Sequence, residues 1–284
     1  MPEPTTPPGL LLATDLSARC DRPLERAKQL ADELSVPLVT LTVHEAPQAP
    51  GEVLQWMDDD AARGREQGAR AELAREFGAS GLAVSHRFGS GATAAAIVDT
   101  AASMPGALVI TGPSRHDTLG DLLLGSTVEK LARALAQPLL VVRQRVRGPY
   151  RTIMVAIDFT PASKLALETA ARLFPQARIT AFHAHDADLL APDAPPRAAF
   201  VRFLDGCALD GDALARVSMA IGEGDPASQL ARHVVDNSID LAVFGLHEES
   251  ALMRLLTGSR SEHLLQEVVC DTLLVRAGEQ NEQT

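Results

Sequence analysis

Two stretches of this sequence, matched in position, carry glycine and hydroxyl residues of the types that can cradle a phosphate. The first is Gly112-x2-Arg115-x9-Gly125-Ser126-Thr127, with Ser114 inside it. The second is Gly245-x2-Glu248-x9-Gly258-Ser259, with His247 inside it. Where such a run ends a strand and opens a helix, the chemistry is anion binding. A helix N-terminus offers unpaired N–H groups and partial positive charge, glycine lets phosphate approach the backbone, and Ser or Thr adds a hydroxyl donor. The plainer alternative is that Gly112 makes a turn and Ser126 caps a helix.

A second constellation is His183-Ala184-His185-Asp186. Alternate residues on a strand share a face, so His183 and His185 could converge with His247, Glu248 and Asp158 on zinc or another divalent metal. The alternative is one histidine filling a polar gap and the other solvated. Ser114-Arg115-His116-Asp117 contains the residue types of a hydrolase triad, but triads draw their members from separate elements, and no GxSxG elbow is present. The chain is therefore expected not to be an enzyme, with slow ATP turnover at most. Gly89-Ser-Gly-Ala-Thr-Ala94 and Gly222-Glu-Gly-Asp-Pro-Ala227 match GxGxxA. A dinucleotide site also needs an acid at the end of the following strand, and neither repeat supplies one, so turn and helix-start glycines explain both runs. No GxxxxGK run is present, which disfavours a P-loop NTPase.

The elements that must position these residues occur twice. LLLATDLS (10–17) matches IMVAIDFT (153–160), and LLLGSTVEKLARALAQPLLVVR (122–143) matches LLTGSRSEHLLQEVVCDTLLVR (255–276). Gly89 and Gly222, Gly112 and Gly245, and Gly125 and Gly258 all lie 133 residues apart, whereas Asp15 and Asp158 lie 143 apart. The ten-residue difference belongs to a loop between the first strand and Gly89. Within repeat one, strands are expected at 10–15, 38–43, 82–87, 107–111 and 139–143, and helices at 21–34, 58–77, 92–103 and 125–136. Repeat two is expected to place strands at 152–157, 178–183, 216–221, 240–244 and 272–276. Alternation of strand and helix means parallel βαβ units with helices on both faces, and ligands bind such sheets beyond the carboxyl ends of the strands. Two domains are expected, 8–145 and 150–278, joined where Gly148 and Pro149 interrupt structure. Trp56, Met57 and Val53 lie in the 46–60 insertion of repeat one.

The 284 residues fit two domains. Hydrophobic residues at 46% and charged residues at 22% exclude a disordered or collagen-like chain. The net charge is −11, and no segment reads as strongly basic, which disfavours nucleic acid and anionic membranes as partners. The absence of a long apolar run argues against a transmembrane helix. MPEPTTPPG at the start reads as a frayed tail rather than a secretory signal. Cys20, Cys207 and Cys270 are odd in number and widely spaced, as expected of reduced thiols in a cytoplasmic protein.

The glycine loops, the early Ala13-Thr14-Asp15 and Ala156-Ile-Asp158, Gly224-Asp-Pro-Ala227 and the closing Pro138-Leu-Leu-Val-Val-Arg143 together resemble the universal stress protein family, whose nucleotide-binding members carry G-x2-G-x9-G-[ST]. The resemblance extends over nearly the whole chain, twice. It implies two tandem Rossmann-like, adenine nucleotide alpha hydrolase-like domains, each an open five-stranded parallel sheet, with the last strands pairing the domains. It implies a stress-response regulator that binds ATP or AMP. Ala13, Thr14 and Asp15 would then lie by ribose and adenine, Val43 by the base, and Gly112, Ser114, Gly125, Ser126 and Thr127 by the phosphates. In repeat two the corresponding residues would be Asp158, Phe182, Gly245, His247, Gly258 and Ser259. Both repeats depart from the pattern at its second glycine. Arg115 could pair with phosphate, whereas Glu248, followed by Glu249, repels it, with Arg260 offsetting part of this. Repeat one is therefore expected to hold the better site. The alternatives are a ligand-free structural or chaperone-like stress factor and a metal-binding regulator using repeat two. A homodimer of tandem chains is a further expectation.

Overall fold

The computed structural model describes residues 7–44, 59–113, 125–185, 196–247 and 269–277. Repeat one has strands β1 (Leu10–Ala13), β2 (Leu38–His44), β3 (Val84–Ser90), β4 (Leu108–Thr111) and β5 (Leu139–Val141). Its helices are α1 (Asp21–Leu34), α2 (Asp59–Phe77), α3 (Thr93–Ala102) and α4 (Gly125–Ala134). Repeat two has β6 (Thr152–Ala156), β7 (Arg178–His185), β8 (Val217–Glu223), β9 (Leu241–Leu246) and β10 (Asp271–Arg276). Its described helices are α5 (Pro161–Leu173), α6 (Pro196–Asp205), α7 (Gly211–Ala215) and α8 (Pro226–Asp236).

The ten strands of the described residues form one sheet in the order β3-β2-β1-β4-β5-β10-β9-β6-β7-β8. Within each repeat the pairing is parallel, and both repeats show the same order, third-second-first-fourth-fifth. The repeats meet through an antiparallel pair, with Val141 opposite Thr272 and Leu139 opposite Leu274. The expectation that the closing strands join the two domains is met by this pair, which also covers an apolar edge that would otherwise invite aggregation.

Alternation along the buried strands feeds two cores. On β1, Leu10 and Leu12 face one core with Leu24, Ala27 and Leu30 of α1, while Leu11 and Ala13 face the other with Ile97 of α3 and Leu131 of α4. Each core continues across the junction: Leu140 and Val142 share the first with Leu273 and Val275, and Leu139 and Val141 share the second with Leu274. Each fully buried leucine contributes about 1.5–3 kcal/mol, so the domains share apolar burial rather than merely touching.

The first strands end earlier than the apolar pattern suggests. Thr14 Oγ1 accepts from the Leu16 amide at 3.0 Å, and Asp15 Oδ1 accepts from the Ser17 amide at 2.9 Å. In repeat two, Asp158 Oδ1 accepts from the Thr160 amide at 3.1 Å. Short polar side chains of this kind take backbone groups away from the ladder and turn the chain. Leu16 and Phe159 follow at φ 58° and 63°. β3 and β8 run later than expected because Gly89 and Gly222 remain in the strand, and the turns fall at Gly91 (φ 102°) and Gly224 (φ 120°). That explains the GxGxxA runs without a dinucleotide. No helix among the described residues is long and apolar enough to cross a membrane.

Candidate functional site

In each repeat the strand order reverses between the first and fourth strands, which opens a crevice at their carboxyl ends. In repeat one this edge carries Ala13, Thr14 and Asp15 after β1, and Gly112 after β4. Helix α4 returns the chain from parallel strand β4 to parallel strand β5, so its first residue, Gly125, lies on the same edge. The helix starts at Gly125, which puts Ser126 and Thr127 inside the first turn rather than at a cap. Their backbone N–H groups are among those that no intrahelical carbonyl takes.

Ala13 and Thr14 are buried and Asp15 is half-buried. Besides the Ser17 amide, Asp15 Oδ1 accepts from Cys20 Sγ at 3.1 Å. Burial pushes the Cys20 thiol up to about 11, so it stays a neutral donor to the carboxylate. Val43 is buried on β2 opposite Gly89. Ala13 pairs with Leu41, and Ala156 pairs with Phe182. Phe182 is therefore the counterpart of Leu41, and Val43 corresponds to Ala184; the sequence pairing of Val43 with Phe182 is corrected by two residues. Phe182 stacks on His233 with ring centroids 4.4 Å apart. Ser114, Arg115, Glu248, Gly258, Ser259 and Arg260 lie outside the described residues, as do Trp56 and Asp186.

The strand-end glycines have a packing role that sequence reading assigned to phosphate. A Cβ on Gly112 would lie 3.1 Å from Pro23 Cγ of α1. A Cβ on Gly245 would lie 2.3 Å from the carbonyl carbon of Ala162 and 2.6 Å from the Ser163 nitrogen, at the start of α5. In both repeats the helix that follows the first strand passes over the end of the fourth. Glycine permits that approach, more stringently in repeat two.

The crevice edge of repeat two is spanned by its own side chains. His247 Nε2 lies 3.5 Å from Asp158 Oδ2, while Asp158 Oδ1 accepts from Thr160 Oγ1 at 2.5 Å. Phe159 packs against Phe200 and Phe203 of α6 and against His183. His183 and His185 do share a strand face, with ring centroids 5.9 Å apart. His183 Nδ1, however, lies 2.7 Å from the Ile157 carbonyl oxygen, and the ring is packed on Phe159 at 4.5 Å. Among the described residues no group of three His, Cys, Asp or Glu side chains could hold a metal ion. His183, His185 and His247 are, in the described residues, a packed histidine, its strand neighbour and an aspartate partner, while Glu248 and Asp186 of the zinc reading lie outside the described residues.

A third feature escaped sequence reading because the overall charge hides it. The linker supplies Arg145, Arg147 and Arg151, which line a cavity of about 440 Å³ at the junction with Arg26 of α1. Between Glu129 and Asp158 the sequence has no acidic residue; a local charge count, instead of the total, finds this patch.

The duplicated strand order, the reversal points and the single antiparallel junction define a tandem doubly wound α/β protein of the Rossmann-like class. The chain belongs to the universal stress protein family, whose model matches residues 9–143 and again 149–276. It is similar to a universal stress protein from Archaeoglobus fulgidus DSM 4304, with 18% identity over 98% of this chain and 99% of that one and a TM-score of 0.70. It is also similar to a functionally unknown protein from Pseudomonas aeruginosa PAO1, with 18% identity over 96% of this chain and 93% of that one and a TM-score of 0.65. These likenesses establish the tandem fold. No curated protein matches the chain.

Proposed function

We propose that the chain is an adenine-nucleotide-binding regulatory protein, taking ATP or AMP, with its better site in repeat one. The observation that carries this reading is the placement of Asp15 and Gly112 at the carboxyl ends of adjacent parallel strands at the reversal point, with α4 opening at Gly125 on the same edge. Asp15 would hold the ribose, and the first-turn N–H groups of Gly125, Ser126 and Thr127 would hold phosphate. In repeat two, the His247–Asp158 contact places two side chains where a ligand would lie, and it supports a weakened second site. Binding and signalling rather than catalysis are proposed, with slow ATP turnover at most. A cytoplasmic setting is part of the proposal, supported by three free cysteines. A dimer of whole chains is proposed through an outer strand of the sheet, where β8 exposes Met219 and Ile221.

One observation favours a second reading, a ligand-free structural stress factor. Packing alone accounts for Gly112 and Gly245. Denaturing the purified chain and analysing the released small molecules by liquid chromatography and mass spectrometry separates the two. About one adenine nucleotide per chain is expected under the asymmetric reading of the site. Two per chain would overturn the asymmetry. None, together with no heat on titrating ATP or AMP, would leave the structural factor.

A further inference from the structure

The junction cavity shares no residue with either crevice. Its walls come from both repeats and the linker: Arg26 of α1, the linker from Gln144 to Arg151, the end of α8 with the approach to β9, and Val269 and Cys270 before β10. Among the described residues, four arginines line it against one carboxylate, Asp240. That carboxylate is engaged at Oδ2 by the amides of Arg151 and Thr152, both at 2.9 Å. Arg145, Arg147 and Arg151 are exposed, and among the described residues they form no ion pair.

Arg26 is different. It is 4% exposed, its guanidinium donates to the Gly148 carbonyl at 2.9 Å and lies 3.7 Å from Asp271, yet its buried Nε has no hydrogen-bond partner. The lining also includes Val234, Val235, Ile239 and Val269, with Val235 60% exposed and Val269 49% exposed. In a chain of net charge −11, three exposed guanidiniums with no ion pair among the described residues, lining one concave space together with exposed valines, are a separate local chemistry. Guanidinium forks match phosphate oxygens bidentately.

We propose that this junction pocket is a second ligand site, independent of the nucleotide crevices, and that it takes a phosphorylated small molecule with an apolar or aromatic body. The phosphate lies against Arg145, Arg147 and Arg151, and the body lies on the exposed Val235 and Val269. Because its walls belong to both repeats, an occupant ties them together and raises the stability of the whole chain.

The test is titration calorimetry with thermal unfolding on the full chain, using phenyl phosphate, inorganic phosphate and benzyl alcohol as probes at matched ionic strength. Phenyl phosphate is expected to bind with a dissociation constant of about 1 mM or tighter and to raise Tm. Inorganic phosphate should bind more weakly, and benzyl alcohol should not bind. The triple variant Arg145→Ala, Arg147→Ala, Arg151→Ala should weaken phenyl phosphate by about tenfold or more. Val235→Asp, which sets a carboxylate on the exposed wall, should do the same if the triple variant folds poorly. Phenyl phosphate binding should survive the Asp15→Ala variant. Loss of binding under ATP together with unchanged affinity in the arginine variant would place the probe in the crevice and overturn this site while sparing the nucleotide reading. Unchanged affinity in the arginine and valine variants, equal affinity for inorganic phosphate, or no phosphate-specific rise in Tm would each overturn the proposal.

Discussion

Tyr150 Oη donates to Asp271 Oδ2 at 2.6 Å, across the junction between the repeats, with Asp271 0% exposed. Asp271 Oδ1 accepts from the amides of Arg143 and Gln144 at 2.7 and 2.8 Å as β5 ends. Arg26 lies 3.7 Å from the same carboxylate and stacks 4.0 Å over the Tyr150 ring. One carboxylate thus joins the exit of repeat one, the linker and the start of β10. Removing one partner of a buried charge cluster costs more than the cluster contributes, because the remaining charge is left uncompensated. Asp271→Ala is expected to lose about 3–5 kcal/mol and Tyr150→Phe about 1–3 kcal/mol, both read by urea unfolding. If the two substitutions proved equally mild, Asp271 would not be the tie between the repeats.

The two strand-end glycines predict an ordered pair of defects. Gly245→Ala drives a methyl group to 2.3 Å from the backbone of Ala162, which cannot move without shifting the start of α5. Gly112→Ala meets the Pro23 ring at 3.1 Å and, in ordinary contact, the Arg19 carbonyl oxygen at 3.6 Å. Overpacking of this kind costs about 1–3 kcal/mol. Gly245→Ala should fall at or above the top of that range and Gly112→Ala near its bottom, in equilibrium unfolding of the two variants. The reverse order would show that the helix-over-strand contact is not what holds Gly245.

All three thiols are displaced upward, chiefly by burial: from the ordinary 9.0 to about 11 at Cys20 and Cys207 and about 12 at Cys270. Burial, with the Asp271 carboxylate beside it, also holds the Tyr150 hydroxyl well above its usual value. Each raised value means that the folded state keeps its proton more tightly than the unfolded chain. The stability these groups supply is therefore fully present below pH 9.0 and is lost as pH rises through about 11 and 12. Denaturation midpoints measured up an alkaline series should fall across that window. In the same protein at neutral pH, a thiol reagent should react slowly until denaturant is added; fast native labelling of all three would contradict the burial.

Much of the architecture was legible because it rests on local pattern. The duplicated Leu10–Ala13 and Ile153–Ala156 runs, the apolar positions Leu24, Ala27, Leu30 and Ala31 of α1, and the apolar closing strands all place residues by periodicity, and the structure puts them there. What escaped depends on contacts between distant segments. The role of Gly245 requires Ala162, more than eighty residues earlier in the chain. The offset between Val43 and Phe182 comes from strand register, which residue type does not encode. His183 has a ligand's residue type, and only the Ile157 carbonyl and the Phe159 ring reveal its packing role. The arginine patch needs the linker and α1 brought together at the junction.

The two crevices predict an asymmetric response to the same substitution. Asp15 and Asp158 occupy matching places after β1 and β6, each turning the chain through an amide two residues on. They differ in what faces them: Cys20 donates to Asp15, whereas Asp158 faces His247 at 3.5 Å. If nucleotide is held in repeat one, Asp15→Ala removes an acceptor for the ribose hydroxyls and should weaken ATP or AMP by about tenfold or more in calorimetric titration. Asp158→Ala should leave that affinity unchanged, and in the same variant the freed His247 should add no second binding event. A loss confined to Asp158→Ala would move the working site to repeat two. Equal losses in both would make the His247 contact a feature of an open, functional crevice rather than an obstruction.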